Sequence, residues 1–330
     1  MEVRREQQLN SVGDDVLALT AVIRPILTGV LYALKVDVVG EAGGYENLKL
    51  KMIPRLYRPG DGDVGICFEY AVHEALNQED PRVMERVTDA IRLCRIRPKQ
   101  TKSILFGFEK SGAVQLIDTA KGILTEESRT LAGGVGQPQK LKRRLNTLAA
   151  AFRRPTTRFA LPFSIRGLWK ADLFVGSLDT QQWVGTSVKI NQAQLEGAAG
   201  LRIGIIPTRQ GRSDRVRLDA GKGLVVCPLH HDADFMQTFY EGWRVVQAFL
   251  AADAQVPKEA VLPRPVDREI CRMLAERREY SAVDVIEALK TFAQPELLET
   301  DRETVSLEDV KGDAETAMIV APISRSTTGI

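Results

Sequence analysis

Lys170-Ala-Asp-Leu-Phe-Val-Gly-Ser177, a short polar turn, and Gln182-Trp-Val-Gly-Thr-Ser-Val-Lys-Ile190 read as the two strands of a hairpin, and a hairpin fixes which side chains meet. Strand side chains alternate between faces with a period of two. Val184, Thr186, Val188 and Ile190 therefore share one face, and Trp183, Gly185, Ser187 and Lys189 the other. In the first run Ala171, Leu173 and Val175 point one way and Asp172 the other. Directly opposed residues keep a nearly constant index sum. A turn centred near residue 180 thus sets Asp172 across from Ser187 or Lys189. A carboxylate and an ammonium then converge on one polar patch beside apolar strand faces. That pattern points to a metal-assisted hydrolytic site.

The same residues resemble the PD-(D/E)XK nuclease superfamily, the restriction-endonuclease-like fold, over roughly residues 60–250. In that family a first carboxylate and an acidic residue of the second strand bind divalent metal, and a lysine assists the attacking water. The resemblance implies the first role for Asp172 and the last for Lys189. The sequence departs from the pattern at Ser187, where Asp or Glu is usual, and a hydroxyl is a poor substitute for a carboxylate in binding Mg²⁺. The superfamily often places a metal-linked Glu on an early core helix, and Gly65-Ile-Cys-Phe-Glu69 stands at such a position. The implied catalytic set is Asp172, Lys189, Glu69 and Ser187. Mg²⁺, or Mn²⁺, would be held by Asp172, Glu69 and the carbonyl of Val188. Gln192 and Gln194 follow the motif where polar side chains often face the site, although ordinary polarity at a helix start explains them as well.

Charge along the chain supports a polyanionic partner. Ser128 to Ala171 contains no acid. Over that stretch Arg129, Lys140, Lys142, Arg143, Arg144, Arg153, Arg154, Arg158, Arg166 and Lys170 contribute ten positive charges. Lys140, Lys142, Arg143, Arg144, Arg153, Arg154 and Arg158 are the candidate nucleic-acid-binding residues, because a basic segment leading into the site is what a phosphate-backbone binder uses. A solvated helix face explains any single charge run equally well. The absence of acids over so long a window favours a polyanion, and DNA is the expected partner. The overall net charge of +2 hides this asymmetry, since Glu296 to Glu315 carries eight acids against Arg302 and Lys311.

The 330 residues suffice for one large domain or two ordinary ones. The expected class is α/β (α+β), with a mixed central sheet flanked by helices, a restriction-endonuclease-like core and a small C-terminal helical unit. The expected divisions are an N-terminal segment 1–60, a nuclease-like core 61–256 with a basic insertion at about 92–170, the helical unit 257–295 after Pro257, Pro263 and Pro265, and an acidic tail 296–330. That tail, or self-association, offers a route to a protein partner. Residues 13–36 read as a helix pair broken at Pro25, and 47–57 as a strand. Helices are expected over 64–76, 81–94, 140–152, 192–200, 232–250, 266–277 and 282–292, and further strands over 103–108, 113–117, 201–206 and 223–227. No apolar run approaches the ~20 residues of a membrane span. The charged N-terminus lacks a following signal core, so no membrane is expected and the cytoplasm is. Cys67, Cys94, Cys227 and Cys271 lack metal-ligand spacing and read as reduced, buried thiols.

Other motifs carry less. His230-His231-Asp232 offers three potential metal ligands, yet adjacent ligands point apart, and a loop with a helix cap at Asp232 is the stronger reading. His73, one turn after Glu69, is a weaker candidate. Neither Gly133-Gly134-Val135-Gly136 nor Ala220-Gly-Lys-Gly223 has P-loop spacing, and Trp169, Trp183 and Trp243 read as core. The leading expectation is metal-dependent phosphodiester hydrolysis of nucleic acid, in the setting of bacterial antiviral defence where such folds commonly occur. The alternatives are a non-catalytic nucleic-acid-binding or assembly subunit on a degenerate nuclease fold, and an interaction protein whose basic helix binds an acidic partner.

Overall fold

A computed structural model describes residues 14–34, 36–57, 63–106, 122–132, 137–208, 215–230, 235–256 and 262–290. The strand expected at 113–117, the glycine motif at 133–136, His231, Asp232, Pro257 and the acidic tail lie outside the described residues. The helices, in chain order, are α1 Asp14–Tyr32, α2 Val36–Glu41, α3 Ile53–Leu56, α4 Asp63–Asn77, α5 Pro81–Leu93, α6 Leu141–Arg153, α7 Phe235–Ala251, α8 Pro265–Glu276 and α9 Ala282–Leu289. The strands are β1 Thr101–Leu105, β2 Arg129–Thr130, β3 Gln139–Lys140, β4 Leu173–Ser177, β5 Gln182–Val188, β6 Leu201–Pro207, β7 Arg217–Asp219 and β8 Leu224–Leu229. The chain divides into two compact units, one comprising Met1–Leu27, Val39–Arg58 and Glu241–Ile330, the other Thr28–Val38 and Pro59–Tyr240.

The second unit is built on one mixed sheet with spatial order β1-β4-β5-β6-β8-β7, while β2 pairs with β3 and β5. The β1-β4-β5 pairs are antiparallel, the β5-β6 and β6-β8 pairs parallel, and β7 runs antiparallel to β8. This is the mixed α/β architecture expected. β6 and β8 read as near-continuous apolar runs because they are covered on both faces, as parallel strands must be, and the antiparallel β4 is buried throughout as well. One face carries Ile104, Phe174, Trp183, Ile206 and Val226 against Leu141, Leu145 and Leu148 of α6 and Ile165 and Leu168 of a 3₁₀ helix, Phe163–Lys170. Helix α4 packs on β1 and β5, and α5 on β8. Each fully buried Phe or Leu contributes about 1.5–3 kcal/mol relative to its exposed state.

Local sequence explains the helices that flank the sheet. Pro81 starts α5 at a position whose missing N–H costs nothing, and the Asp80 carboxylate accepts from the Arg82 amide at 3.0 Å. The spacing of Val83, Val87, Ala90 and Ile91 gives α5 its buried stripe. In α4 the helical spacing of Phe68, Val72 and Ala75 places all three inward.

Several local expectations are corrected. α1 runs unbroken from Asp14 to Tyr32 with Pro25 inside it, so there is no helix pair. Ile23, Ile26, Leu27 and Val30 are all fully buried, and that packing outweighs the one backbone hydrogen bond the proline removes. Residues 47–57 form 3₁₀ and α turns, with only an isolated bridge from Lys49 to Ser281, because Pro54 cannot donate to a ladder and instead opens α3. The stretch 192–200 holds a single 3₁₀ turn, Gln192–Gln194, capped by Asn191. The strand β7 escaped notice because its three residues are polar or exposed.

In the first unit the C-terminal helices meet the segment around Leu48. The Ala282 amide donates to the Leu48 carbonyl at 2.7 Å and the Leu50 amide to the Tyr280 carbonyl at 3.0 Å. Arg264 bridges the fully buried Asp267 and Glu241, which ties the start of α8 to α7. These carboxylates hold the Arg264 guanidinium above its already high ordinary pKa.

Candidate functional site

The hairpin register sets Leu173 opposite Thr186 and Phe174 opposite Gly185, and continues to Asp172 opposite Ser187. The Asp172 amide donates to the Thr186 carbonyl at 2.9 Å, and the Phe106 amide to the Asp172 carbonyl at 2.8 Å, so the backbone at Asp172 is held from both sides. Its side chain is fully buried. Oδ2 accepts from the Val188 amide at 2.9 Å, from the Ser187 hydroxyl at 3.1 Å and from Lys189 Nζ at 2.8 Å. Three donors on one oxygen compensate the several kcal/mol that a buried carboxylate would otherwise cost.

Lys189 also lies 3.4 Å from Glu69 Oε1, so one ammonium bridges two carboxylates. Lys189 is 26% exposed, whereas Glu69 is 10% and Asp172 fully buried, so the cluster opens to solvent through the lysine. The Lys189 amide donates to the Ile205 carbonyl at 2.9 Å, which fixes the backbone where β5 ends beside β6. Glu69 is fixed through α4. Asn77 accepts from the Ser103 amide at 3.1 Å and donates to its carbonyl at 3.3 Å, in the manner of a neighbouring strand at the sheet edge. His73 Nδ1 lies 2.7 Å from the Ser103 hydroxyl and clamps the same helix to β1.

The structure therefore brings Asp172, Ser187, Val188, Lys189 and Glu69 together. Two carboxylates and one ammonium sum to one negative charge, and carboxylate oxygens are the donors that Mg²⁺ and Mn²⁺ prefer. Among the described residues no group of three or more His, Cys, Asp or Glu side chains is placed to hold a metal, so a metal here would rest on two carboxylates and a backbone carbonyl. Gln192 and Gln194 are exposed and hydrogen-bond none of the cluster. His230, the described member of the His-His-Asp run, is half-buried beyond β8. Trp183 is fully buried, while Trp169 is half-buried with the Arg158 guanidinium 3.5 Å over its ring.

The candidate nucleic-acid-binding residues surround α6. Its Leu141, Leu145 and Leu148 pack inward, leaving Arg143 exposed and Lys142 and Arg144 partly so. Acids just outside the acid-free stretch neutralise some of the charge: Lys142 pairs with Glu126 at 3.3 Å, Arg129 with Glu127 at 3.1 Å and Lys170 with Glu196 at 2.8 Å. Lys140 ends β3, Arg154 is exposed, Arg158 stacks on Trp169, and the side chain of Arg153 lies outside the described residues. No helix of the described residues is long and apolar enough to cross a membrane. No protein-family model, curated protein or solved structure matches the chain.

Two contributors were missed by sequence reasoning. The Val188 amide holds Asp172, and no residue type signals a backbone donor. Asn77 and Ser103 position Glu69, and only their separation by a turn and a helix hints that α4 folds back on β1.

Proposed function

We propose that the chain is a metal-dependent phosphodiester hydrolase acting on nucleic acid, with DNA as the substrate, on a restriction-endonuclease-like core. The observation that carries this is Asp172, Lys189 and Glu69 meeting within hydrogen-bonding reach at the end of the β4-β5 hairpin. The sheet supports it: a helix bearing the early Glu packs on three antiparallel neighbours, β1, β4 and β5, and β6 runs parallel to β5.

Asp172, Glu69 and the Val188 carbonyl would hold Mg²⁺ or Mn²⁺. The ion, when bound, supplies a water of lowered pKa and neutralises charge on the scissile phosphate. The remaining chemistry belongs to the chain. Lys189 offers its ammonium to the attacking water and to the oxygen on which charge develops. Asp172 orients that ammonium, and Ser187 and the Val188 amide orient Asp172. The cations of the acid-free segment that pair with no acid among the described residues draw in the phosphate backbone. Hydrolysis would proceed without a covalent intermediate.

A second reading is a non-catalytic nucleic-acid-binding subunit on the same core. It is favoured by Ser187, whose hydroxyl is engaged by Asp172 where a second metal-binding carboxylate would otherwise stand. Incubation of the purified protein with plasmid DNA and RNA in Mg²⁺ or Mn²⁺ separates the two. Cleavage that vanishes in Asp172→Ala supports hydrolysis. Cleavage that survives the substitution, or none in either metal, sinks it. Salt-sensitive binding without cleavage selects the second reading.

A further inference from the structure

Two phenylalanines in the segment that leads into Asp172 face solvent. Phe159 is 75% and Phe163 80% exposed, and they are the most exposed large apolar side chains among the described residues. Their segment is otherwise well anchored. In the 3₁₀ helix Phe163–Lys170, residues three apart lie above one another. Ile165 and Leu168 form its inner edge and are fully buried, while Phe163 and Arg166 form an outer edge. The preceding 3₁₀ helix, Pro155–Ala160, delivers Phe159 to the same guanidinium. Arg166 Cζ lies 5.6 Å from the Phe159 ring centre and 5.8 Å from that of Phe163. The result is an Arg within about 6 Å of two aromatic rings, all on 3₁₀ backbone. Arg166 Nε is buried without a hydrogen-bond partner among the described residues.

Exposing two Phe rings side by side forgoes about 1.5–3 kcal/mol each, so a pair held outward on an anchored segment marks a contact surface. The surroundings say what it contacts. The segment lies inside the acid-free stretch, with Arg154, Arg158 and Arg166 nearby and no acid between Ser128 and Ala171. Aromatic faces interleaved with cations, in a stretch without acids, suit bases flanked by phosphates. Duplex DNA keeps its base faces stacked, so only unpaired or unstacked bases can reach the rings.

We infer that Phe159, Phe163 and Arg166 form a stacking platform for unpaired bases, so that the protein grips single-stranded or locally opened nucleic acid. The inference rests on the nucleic-acid reading above. The Phe rings take the base faces, and the guanidinium and its basic neighbours take the backbone.

Fluorescence anisotropy of the full chain tests this in EDTA, with a labelled oligothymidylate and a blunt duplex of equal length. Wild type is expected to bind the single strand more tightly. Phe159→Ala/Phe163→Ala should weaken single-strand binding roughly ten-fold or more and duplex binding by less than roughly three-fold. Phe159→Trp/Phe163→Trp should restore it, and Phe159→Leu/Phe163→Leu should not, because leucine keeps the apolar area and loses the ring. Leu218→Ala, at another exposed apolar side chain, is the control and should change neither. Equal loss on both probes, no loss, or recovery by leucine overturns the platform. So does a wild-type dimer that the double alanine variant dissociates in sedimentation, which would make the surface a self-contact. Because no cleavage occurs in EDTA, single-strand binding by an inactive protein upholds the platform while removing hydrolysis; binding to neither probe removes both.

Discussion

Lys189 Nζ stands 2.8 Å from the fully buried Oδ2 of Asp172, and the same oxygen takes the Val188 amide and the Ser187 hydroxyl. The lysine is thus positioned by the carboxylate it would work beside. Lys189→Met keeps the length of the side chain and removes the charge. It should lower cleavage by about 10²–10³-fold, the usual cost of losing one charge-stabilising donor. Binding to DNA in EDTA should change far less. Asp172→Asn can still accept from Val188, so the fold should persist. Addition of Mn²⁺ should raise the melting temperature of wild type and leave that of Asp172→Asn unchanged. An Mn²⁺ response undiminished in Asp172→Asn would place any metal elsewhere.

Ser187 supplies the second test, because it stands where the resembled family carries an acid. Ser187→Ala removes one of three donors to Asp172, and should cost about 1 kcal/mol in urea unfolding. Ser187→Asp places a carboxylate against Asp172 and should destabilise the metal-free protein by on the order of 1–3 kcal/mol through like-charge repulsion. Mn²⁺ should then recover stability to a greater extent than in wild type. If Ser187→Asp is neutral without metal and indifferent to it, the serine side chain is not oriented at the site.

The site was legible in the sequence to the extent that period-two alternation governs it. Asp172, Ser187 and Lys189 lie on two consecutive strands, so turn position alone brings them together. Glu69 lies more than a hundred positions away from Lys189, and periodicity says nothing of that approach. It depends on α4 folding back on β1 through Asn77 and Ser103. The neutralisation of Lys142 and Lys170 by Glu126 and Glu196 was hidden for a similar reason, since charge runs count neighbours in sequence and ion pairs form in space. Packing carried a helix through Pro25, where a break was expected, and Pro54 opens a helix where a strand was expected.

Burial pushes the Cys227 and Cys271 thiols up to about 12, in β8 and α8 respectively. All four cysteines are free and buried. The folded pKa values of Cys227 and Cys271 are above the unfolded value near 8.5, so the stability they contribute is fully present below about pH 8.5 and is lost as pH rises toward 12. Cys227 should cost about 1.4 kcal/mol by roughly pH 9.5. Urea midpoints across this range should fall less steeply in Cys227→Ala than in wild type, whatever the variant's stability at neutral pH. A disulfide-exchange reagent at pH 8 should label the folded protein slowly and the urea-unfolded protein at once. Rapid labelling of Cys227 in the folded state would contradict its burial.

Two glycines in the hairpin should respond differently to an added methyl group. At Gly185 a Cβ would come within 2.2 Å of Leu168 Cδ2, the end of a side chain on the segment that carries Phe163 and Arg166. At Gly176 it would come within 2.3 Å of the Gln182 carbonyl oxygen and 2.8 Å of the Trp183 indole. A leucine tip can rotate, although its full burial makes that costly, whereas a carbonyl on the neighbouring strand can move only with the ladder. Gly185→Ala should therefore cost about 1–3 kcal/mol, and Gly176→Ala more than that. Leu168→Ala creates a cavity by itself, costing about 2–5 kcal/mol, but it opens room for the methyl group at 185. The double variant Gly185→Ala/Leu168→Ala should consequently be more stable than the sum of the single losses, by 0.5 kcal/mol or more on the usual scale of about 0.5–3 kcal/mol for residues in contact. No such recovery is expected for Gly176→Ala with Leu168→Ala. Additivity in the first pair would mean that Leu168 does not pack against β5, and with it would go the anchoring that holds Phe163 toward solvent.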